Sequence, residues 1–240
     1  MYIAEAAFAD EPQDDVKGKW MVCSPETAGE FSAVGYYFAR ELHQRLGVPV
    51  GGVVTSFGAS KAQAWISPGA MDAVPELAKI VPAYREATRR FESGEARKQY
   101  EADLKAWEEA AAKAKAENKP APRKPGEPRD PRKHQHNAGV LYHAMLKPLA
   151  PYTVRGVIWY QGESNGNDVD IYEPLMTTLI GEWRQLWGKP QLPFLSVQLA
   201  NYRAPTTQPI QANSQIARVR EVQRRTGLLP GTATVTAVDI

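Results

Sequence analysis

Gly156-Val-Ile-Trp-Tyr-Gln-Gly-Glu-Ser-Asn165 carries an apolar run, Val154 to Tyr160, straight into five small or polar residues, Gln161 to Asn165. In a protein of alternating strands and helices, a buried parallel strand ends this way where it delivers side chains to the carboxyl edge of its sheet. A carboxamide, a glycine, a carboxylate, a hydroxyl and a second carboxamide in succession suit the wall of a polar site. They also suit a strand end whose Gln and Glu tie down neighbouring loops, and the pattern alone leaves both readings open.

Outward from this stretch the chain keeps an alternating rhythm. Phe31, Val34, Phe38, Leu42 and Leu46 fall at helical spacing between Ser24-Pro25 and Gly47. Val48 to Ser56 reads as a buried strand in which Gly51 and Gly52 permit close approach of a neighbour. Residues 138–149 predict a short apolar helix ending near Pro148, and 154–160 a strand. A helix follows over 170–187, then a strand over 193–199, a polar-faced helix over 209–226 and a last strand over 232–238. Strands separated by helix-length connections predict an α/β fold, a doubly wound and mostly parallel sheet flanked by helices.

One segment interrupts the rhythm. From Pro75 to about Asn118 the composition becomes rich in Lys, Glu and Ala, with high helix propensity, and Pro120 to Pro131 then reads as an extended Pro-rich loop. The expectation is one domain over residues 1–240 with an insertion at about 75–136. The insertion reads as a solvated helical segment plus a tether. A sharper reading gives Arg123, Lys124, Arg129, Arg132 and Lys133 an acidic polysaccharide or a partner to contact.

Composition narrows the function classes. A net charge of +2 over 240 residues gives no strong field toward nucleic acid, and no nucleic-acid partner is expected. No apolar run reaches the roughly 18 residues of a membrane-spanning helix, and no signal peptide is visible, so no membrane partner is expected either. Cys23 is the only cysteine, which excludes an internal disulfide and a cysteine-based metal site. Only four histidines are present, and no metal-ligand cluster stands out among them.

A second candidate segment is Val53-Val-Thr-Ser-Phe-Gly-Ala-Ser-Lys-Ala-Gln-Ala-Trp65. The strand stops at Ser56, Gly58 and Ser60. A glycine there lets a backbone N–H face a ligand, although a tight turn explains it as well. Backbone N–H groups aided by a carboxamide stabilise the oxyanion of acyl transfer, so Gly58 with Gln161 makes a coherent half of an esterase site.

Several segments, in order along the chain, resemble the sialate O-acetylesterase-like carbohydrate esterases of the SGNH hydrolase superfamily. They are Trp20-Met-Val-Cys-Ser-Pro-Glu, Phe31-Ser-Ala-Val-Gly-Tyr-Tyr-Phe, Val48-Pro-Val-Gly-Gly-Val-Val-Thr-Ser, Ala64-Trp65 and Val140-Leu-Tyr-His-Ala-Met-Leu-Lys-Pro-Leu. Ile158-Trp-Tyr-Gln-Gly-Glu-Ser-Asn, Pro193-Phe-Leu-Ser-Val-Gln-Leu-Ala, Val219-Arg-Glu-Val-Gln and Val235-Thr-Ala-Val-Asp-Ile complete the series. The Trp-Tyr-Gln-Gly-Glu-Ser-Asn block is the most specific.

The resemblance implies a serine esterase that removes acetyl groups from a sugar or polysaccharide with no cofactor and no metal. It implies oxyanion contacts from Gly58 and Gln161, bracing of the site by Glu163, and Trp65 and Asn165 on the sugar side. It suggests a periplasmic or secreted address. In this family the nucleophile lies in a Gly-Gln-Ser-Asn-Met motif and the histidine in an Ile-His-Pro motif; residues 1–240 contain neither. The expectation is a chain truncated at both ends, with sheet edge and apolar helix faces uncovered. The alternative is a non-catalytic relative that binds acetylated glycans, or an inactive fragment. Phe57, Ala59 and Ser60 stand where the family has Trp, Gly and Thr, and His143 where it has Asn. Ser56, Ser60 and Ser164, with His134, His136 and His143, are the residues that would have to substitute for the missing pair. His143, inside an apolar pattern, reads as a packing residue.

Overall fold

The computed structural model describes residues 1–202, 207 and 214–237. Residues 209–213 of the expected polar-faced helix and residue 238 of the expected last strand lie outside that set.

The chain opens with two short strands that the sequence pattern did not announce. β1 (Tyr2–Ala4) pairs antiparallel with β2 (Gly18–Trp20), Tyr2 opposite Trp20. Gly18 is required at this approach, because a Cβ there would lie 2.5 Å from the Ile3 carbonyl oxygen. The helix expected after Phe31 is α1 (Ala33–Leu46), capped by the Ser32 hydroxyl and closed by Gly47 in the left-handed region. β3 (Val53–Val54) then adds to β1 in parallel, giving a three-stranded sheet in the order β2-β1-β3.

Beyond β3 the chain forms a buried 3-10 turn, Ala62–Trp65, and then α2 (Pro68–Asp72), with Ser67 as its cap. The insertion is a hairpin of α3 (Ile80–Glu92) and α4 (Glu95–Ala116). It is not uniformly solvated. Leu77, Val81 and Tyr84 are buried at its root, and the Tyr84 hydroxyl donates to Asp10. α4, by contrast, buries no residue. In the Pro-rich return, Arg132 is paired with Asp130 and Glu92, and the Lys124 ammonium sits over the Trp107 ring. Residues 140–149 are helical as expected, but with a π-helical stretch at Tyr142–Leu146 and a 3-10 turn at Lys147–Leu149.

The second half follows the expected rhythm closely. β4 (Val157–Trp159), β5 (Phe194–Val197) and β6 (Thr232–Val235) form a parallel sheet in chain order. The crossovers contain α5 (Val169–Leu186) and α6 (Gln215–Thr226), which pack against each other. α5 buries Tyr172, Leu175, Met176, Leu179 and Trp183, the i, i+3, i+4 spacing of a helix facing a core. Trp159, at the end of β4, meets Trp183 edge-on at 5.6 Å between ring centroids and Trp65 at 6.4 Å. The conspicuous Trp of the 156–165 stretch is therefore core.

The fold is α/β with mostly parallel strands, three of the four strand pairings being parallel. The backbone ladder is divided into two sheets of three strands, with the division between β3 and β4. β3 keeps only two residues in its ladder, and Thr55, next in line, donates its hydroxyl to the Met145 carbonyl.

Candidate active site

The carboxyl ends of β3, β4 and β5 converge on one edge of the fold, where open α/β sheets bind ligands. After β3, residues 56–65 loop into the buried 3-10 turn. After β4, the chain turns at Gln161-Gly162 into a second 3-10 turn, Glu163–Asp168. Gly162 has φ +156°, and a Cβ there would meet Val219 at 2.9 Å and the Gln223 side chain at 3.2 Å. The glycine lets this turn lie directly against α6.

A chain of carboxamides joins the loops. Gln161 Nε2 donates to the Ser60 carbonyl at 2.9 Å and to Asn165 Oδ1 at 2.8 Å. Asn165 Oδ1 also accepts from the Ala62 backbone N–H at 2.9 Å, and Asn165 Nδ2 donates to Gln63 Oε1 at 3.1 Å. The Tyr172 hydroxyl reaches the Gln161 main-chain oxygen at 3.0 Å and its Oε1 at 3.2 Å. Gln223 Nε2 donates to the Gln161 carbonyl at 3.0 Å while its Oε1 accepts from the Leu199 N–H at the end of β5. Burial holds the Tyr172 phenol far above its usual pKa, so it stays a neutral donor. At the rim, Lys61 and Asp168 form an ion pair at 2.5 Å that ties the start of one loop to the end of the other.

The expected site residues divide into two groups. Gly58 and Glu163 are exposed at the loop surface, and nothing lies within 4 Å of where a Cβ on Gly58 would sit. Gln161, Trp65 and Asn165 lie beneath. Asn165 is 0% exposed and Trp65 3% exposed, with Trp65 Nε1 donating to Ser60 Oγ at 2.9 Å. Neither Trp65 nor Asn165, expected on the sugar side, reaches the surface. Gln161 has both N–H donors committed inside the protein. The side-chain hydrogen bonds that join the loops run through Gln161, Asn165, Gln63 and Gln223.

Gln63, Gln223, Tyr172 and the Lys61–Asp168 pair were missed by sequence reasoning. Gln223 had a signal: it falls on the stripe Val219, Val222, Thr226 that α6 buries, a carboxamide where an apolar residue is the norm. Among the described residues none of Ser56, Ser60 and Ser164 is hydrogen-bonded to His134, His136 or His143. His143 is buried with Nδ1 unpartnered, and Ser60 Oγ accepts from Trp65. Among the described residues no group of three or more His, Cys, Asp or Glu side chains is arranged to hold a metal ion.

Ala59, between the two exposed loop residues and the network, has φ +54°, a left-handed conformation that costs a residue with a Cβ about 1–2 kcal/mol. His136 Nε2 lies 2.9 Å from the Ala59 carbonyl oxygen, and the Lys61 N–H donates to the Gln135 carbonyl at 3.1 Å. Residues 134–139 therefore run alongside this loop and clasp it.

A family model described as "Carbohydrate esterase, sialic acid-specific acetylesterase" matches residues 132–240. The sialate O-acetylesterase of Rattus norvegicus is 30% identical over 210 residues, covering 81% of this chain and 35% of that protein. The human sialate O-acetylesterase is 28% identical over 180 residues, covering 71% and 25% respectively. Among solved structures, a carbohydrate acetylesterase from Xanthomonas citri superposes with a TM-score of 0.70 at 28% identity, covering all of this chain and 42% of that one. The chain thus spans between a quarter and about a third of the length of the curated relatives it matches.

Proposed function

We propose that this chain, a member of the sialate O-acetylesterase-like carbohydrate esterases, forms part of the acyl-transfer site of an enzyme that hydrolyses acetyl esters on sugars. The observation that carries the reading is the convergence of the 56–65 and 161–168 loops at the carboxyl edge of the strands, locked by the Gln161–Asn165–Gln63 carboxamides. Such a lock fixes backbone donors in place before substrate arrives, which is what oxyanion stabilisation demands.

In this reading the exposed Gly58 backbone presents its N–H to the ester oxygen, and open space at its Cα lets the acetyl group approach. Gln161 supports that surface from behind. Trp65 and Asn165 hold the loops in register, and Glu163 faces the mouth. The substrate is an acetylated sugar. The serine and histidine of the reaction are those of the family's two motifs, which are not among residues 1–240.

The test uses a protein that carries the family's serine and histidine motifs together with residues 1–240, and combines fluorophosphonate labelling, mapped by peptide mass, with acetate release from O-acetylated N-acetylneuraminic acid and from acetylated xylose. Released acetate that Gly58→Val abolishes, with Tm unchanged, supports the reading. Acetyl-methyl saturation transfer without acetate release or labelling would make the chain an acetylated-glycan binder. No release and no binding by the folded protein would sink the proposal.

A further inference from the structure

The 57–60 turn has a Cβ where its backbone conformation favours glycine, and something must hold it there. Ala59 sits at φ +54° with the exposed Gly58 before it and the buried Ser60 after it. The contact available to its carbonyl is His136, whose Nε2 is 2.9 Å away. A carbonyl oxygen only accepts, so His136 carries its proton on Nε2.

His136 is itself fixed from behind. Its backbone N–H donates to His134 Nδ1 at 3.2 Å, and the two rings meet edge-on with centroids 4.6 Å apart. Accepting at Nδ1 requires His134 to be unprotonated on that atom. Burial first, and then His136, Arg129 and Lys61, hold the His134 ring toward its neutral form. The Asn137 amide donates to the Pro131 carbonyl at 2.6 Å, anchoring the segment at its other end.

We propose that His136 is a positioning residue whose Nε2–H, donated to the Ala59 carbonyl, holds the 57–60 turn in its left-handed conformation and so aims the Gly58–Ser60 backbone donors. The proposal rests on the reading of this loop as ester-facing, but the clasp itself is separable from that reading. The chain combines a strained Ala59 with an external hydrogen bond, where a glycine would need no such help. The residue that lets this loop work is thus seventy-seven positions away, across the whole insertion.

The experiment compares His136→Ala, His136→Gln, Ala59→Gly and the double variant His136→Ala/Ala59→Gly. The first readout is amide hydrogen exchange over residues 57–62. His136→Ala should speed exchange there by about tenfold, the worth of one hydrogen bond. His136→Gln, which keeps a donor at similar reach, should restore protection. Ala59→Gly should remove most of the effect of losing His136, because the glycine holds the turn unaided. Exchange that ignores His136→Ala, or that changes equally whichever residue stands at 59, overturns the clasp. The second readout is acetate release by the protein that also carries the family's serine and histidine motifs, in which kcat falls with KM unchanged for His136→Ala and recovers in the double variant. If exchange responds as stated but kcat does not, the clasp stands as structure and the positioning role is overturned, while the ester-facing reading of the loop stands or falls on Gly58→Val.

Discussion

The two three-stranded sheets of this molecule obey the same α/β grammar and differ in how they are covered. Behind β4-β5-β6, α5 buries Tyr172, Leu175, Met176 and Leu179, each 1% exposed or less. α1, between β2 and β3 in the chain, buries only Gly35, while Val34, Tyr37, Phe38 and Leu46 reach the surface. Apolar periodicity states that a helix has a side to hide. It does not state what hides it.

The sharpest way to break that comparison is to remove one side chain from each helix. Leu179→Ala opens a cavity in a fully buried site and should cost about 2–5 kcal/mol in urea unfolding. Phe38→Ala, at a partly exposed position, should cost about 1 kcal/mol or less. Similar losses at the two positions would mean that α1 is packed as firmly as α5 in solution.

The candidate site owes its rigidity to the well-covered half. Asn165→Ala leaves the Ala62 N–H and one Gln161 N–H without their acceptor in a dry setting, for about 2–3 kcal/mol. Asn165→Asp keeps the acceptor but sets a second carboxylate oxygen against Gln63 Oε1 and buries a charge at a 0% exposed site, so near neutral pH it should destabilise at least as much as Ala. A smaller loss for Asp than for Ala would show that the retained acceptor outweighs the burial of charge.

How much of this was legible in the sequence follows from the kind of signal each element emits. α5, α6 and the strands beside them announced themselves because long apolar stripes and short apolar runs are local patterns. β1 and β2 are three residues each and gave no pattern to read. Gly58 and Gln161 were singled out because small and polar residues at strand ends are conspicuous. The burial of Trp65 and Asn165 was not legible, because burial is a tertiary fact: Asn165 is 0% exposed although its loop position presents it as a ligand. The His136 clasp was invisible for the same reason, joining residues that no sequence spacing relates.

Acid should loosen the join between the N-terminal segment and the helical stretch at 140–149. The Ala9 and Gln13 N–H groups donate to the Val140 and His143 carbonyls, and His143 is buried beside Asp10 and Glu11. Burial lowers its pKa from 6.5, against smaller opposing contributions from Asp10, Glu11 and the Ala9 backbone. Between the lowered folded value and 6.5, the unfolded chain binds more protons, so stability rises with pH through that window. Below it the contribution is lost. Tm measured from pH 7.5 down to 5 should therefore fall faster for the native chain than for His143→Asn. Parallel curves would show that His143 does not titrate with folding.

The smallest effect is expected from the insertion. α4 buries nothing, and its ion pairs, such as Arg97 with Glu101 and Glu127, are exposed and worth little in salt. The root is different, since Leu77, Val81 and Tyr84 are in the core and Arg132 ties back to Glu92 beside the start of α4. A cut that removes residues 95–128 and joins the ends through a short Gly-Ser linker should shift Tm by about 3 °C or less. It should leave exchange at 57–62 unchanged, because residues 134–139 keep their own anchors at Gln135–Lys61 and Asn137–Pro131. A large loss of Tm would mean that α4 is covered in solution by contacts its sequence does not suggest. Faster exchange confined to 57–62 would mean instead that the hairpin holds the His136 clasp in place, and that the two ends of the insertion work as one lever on the site.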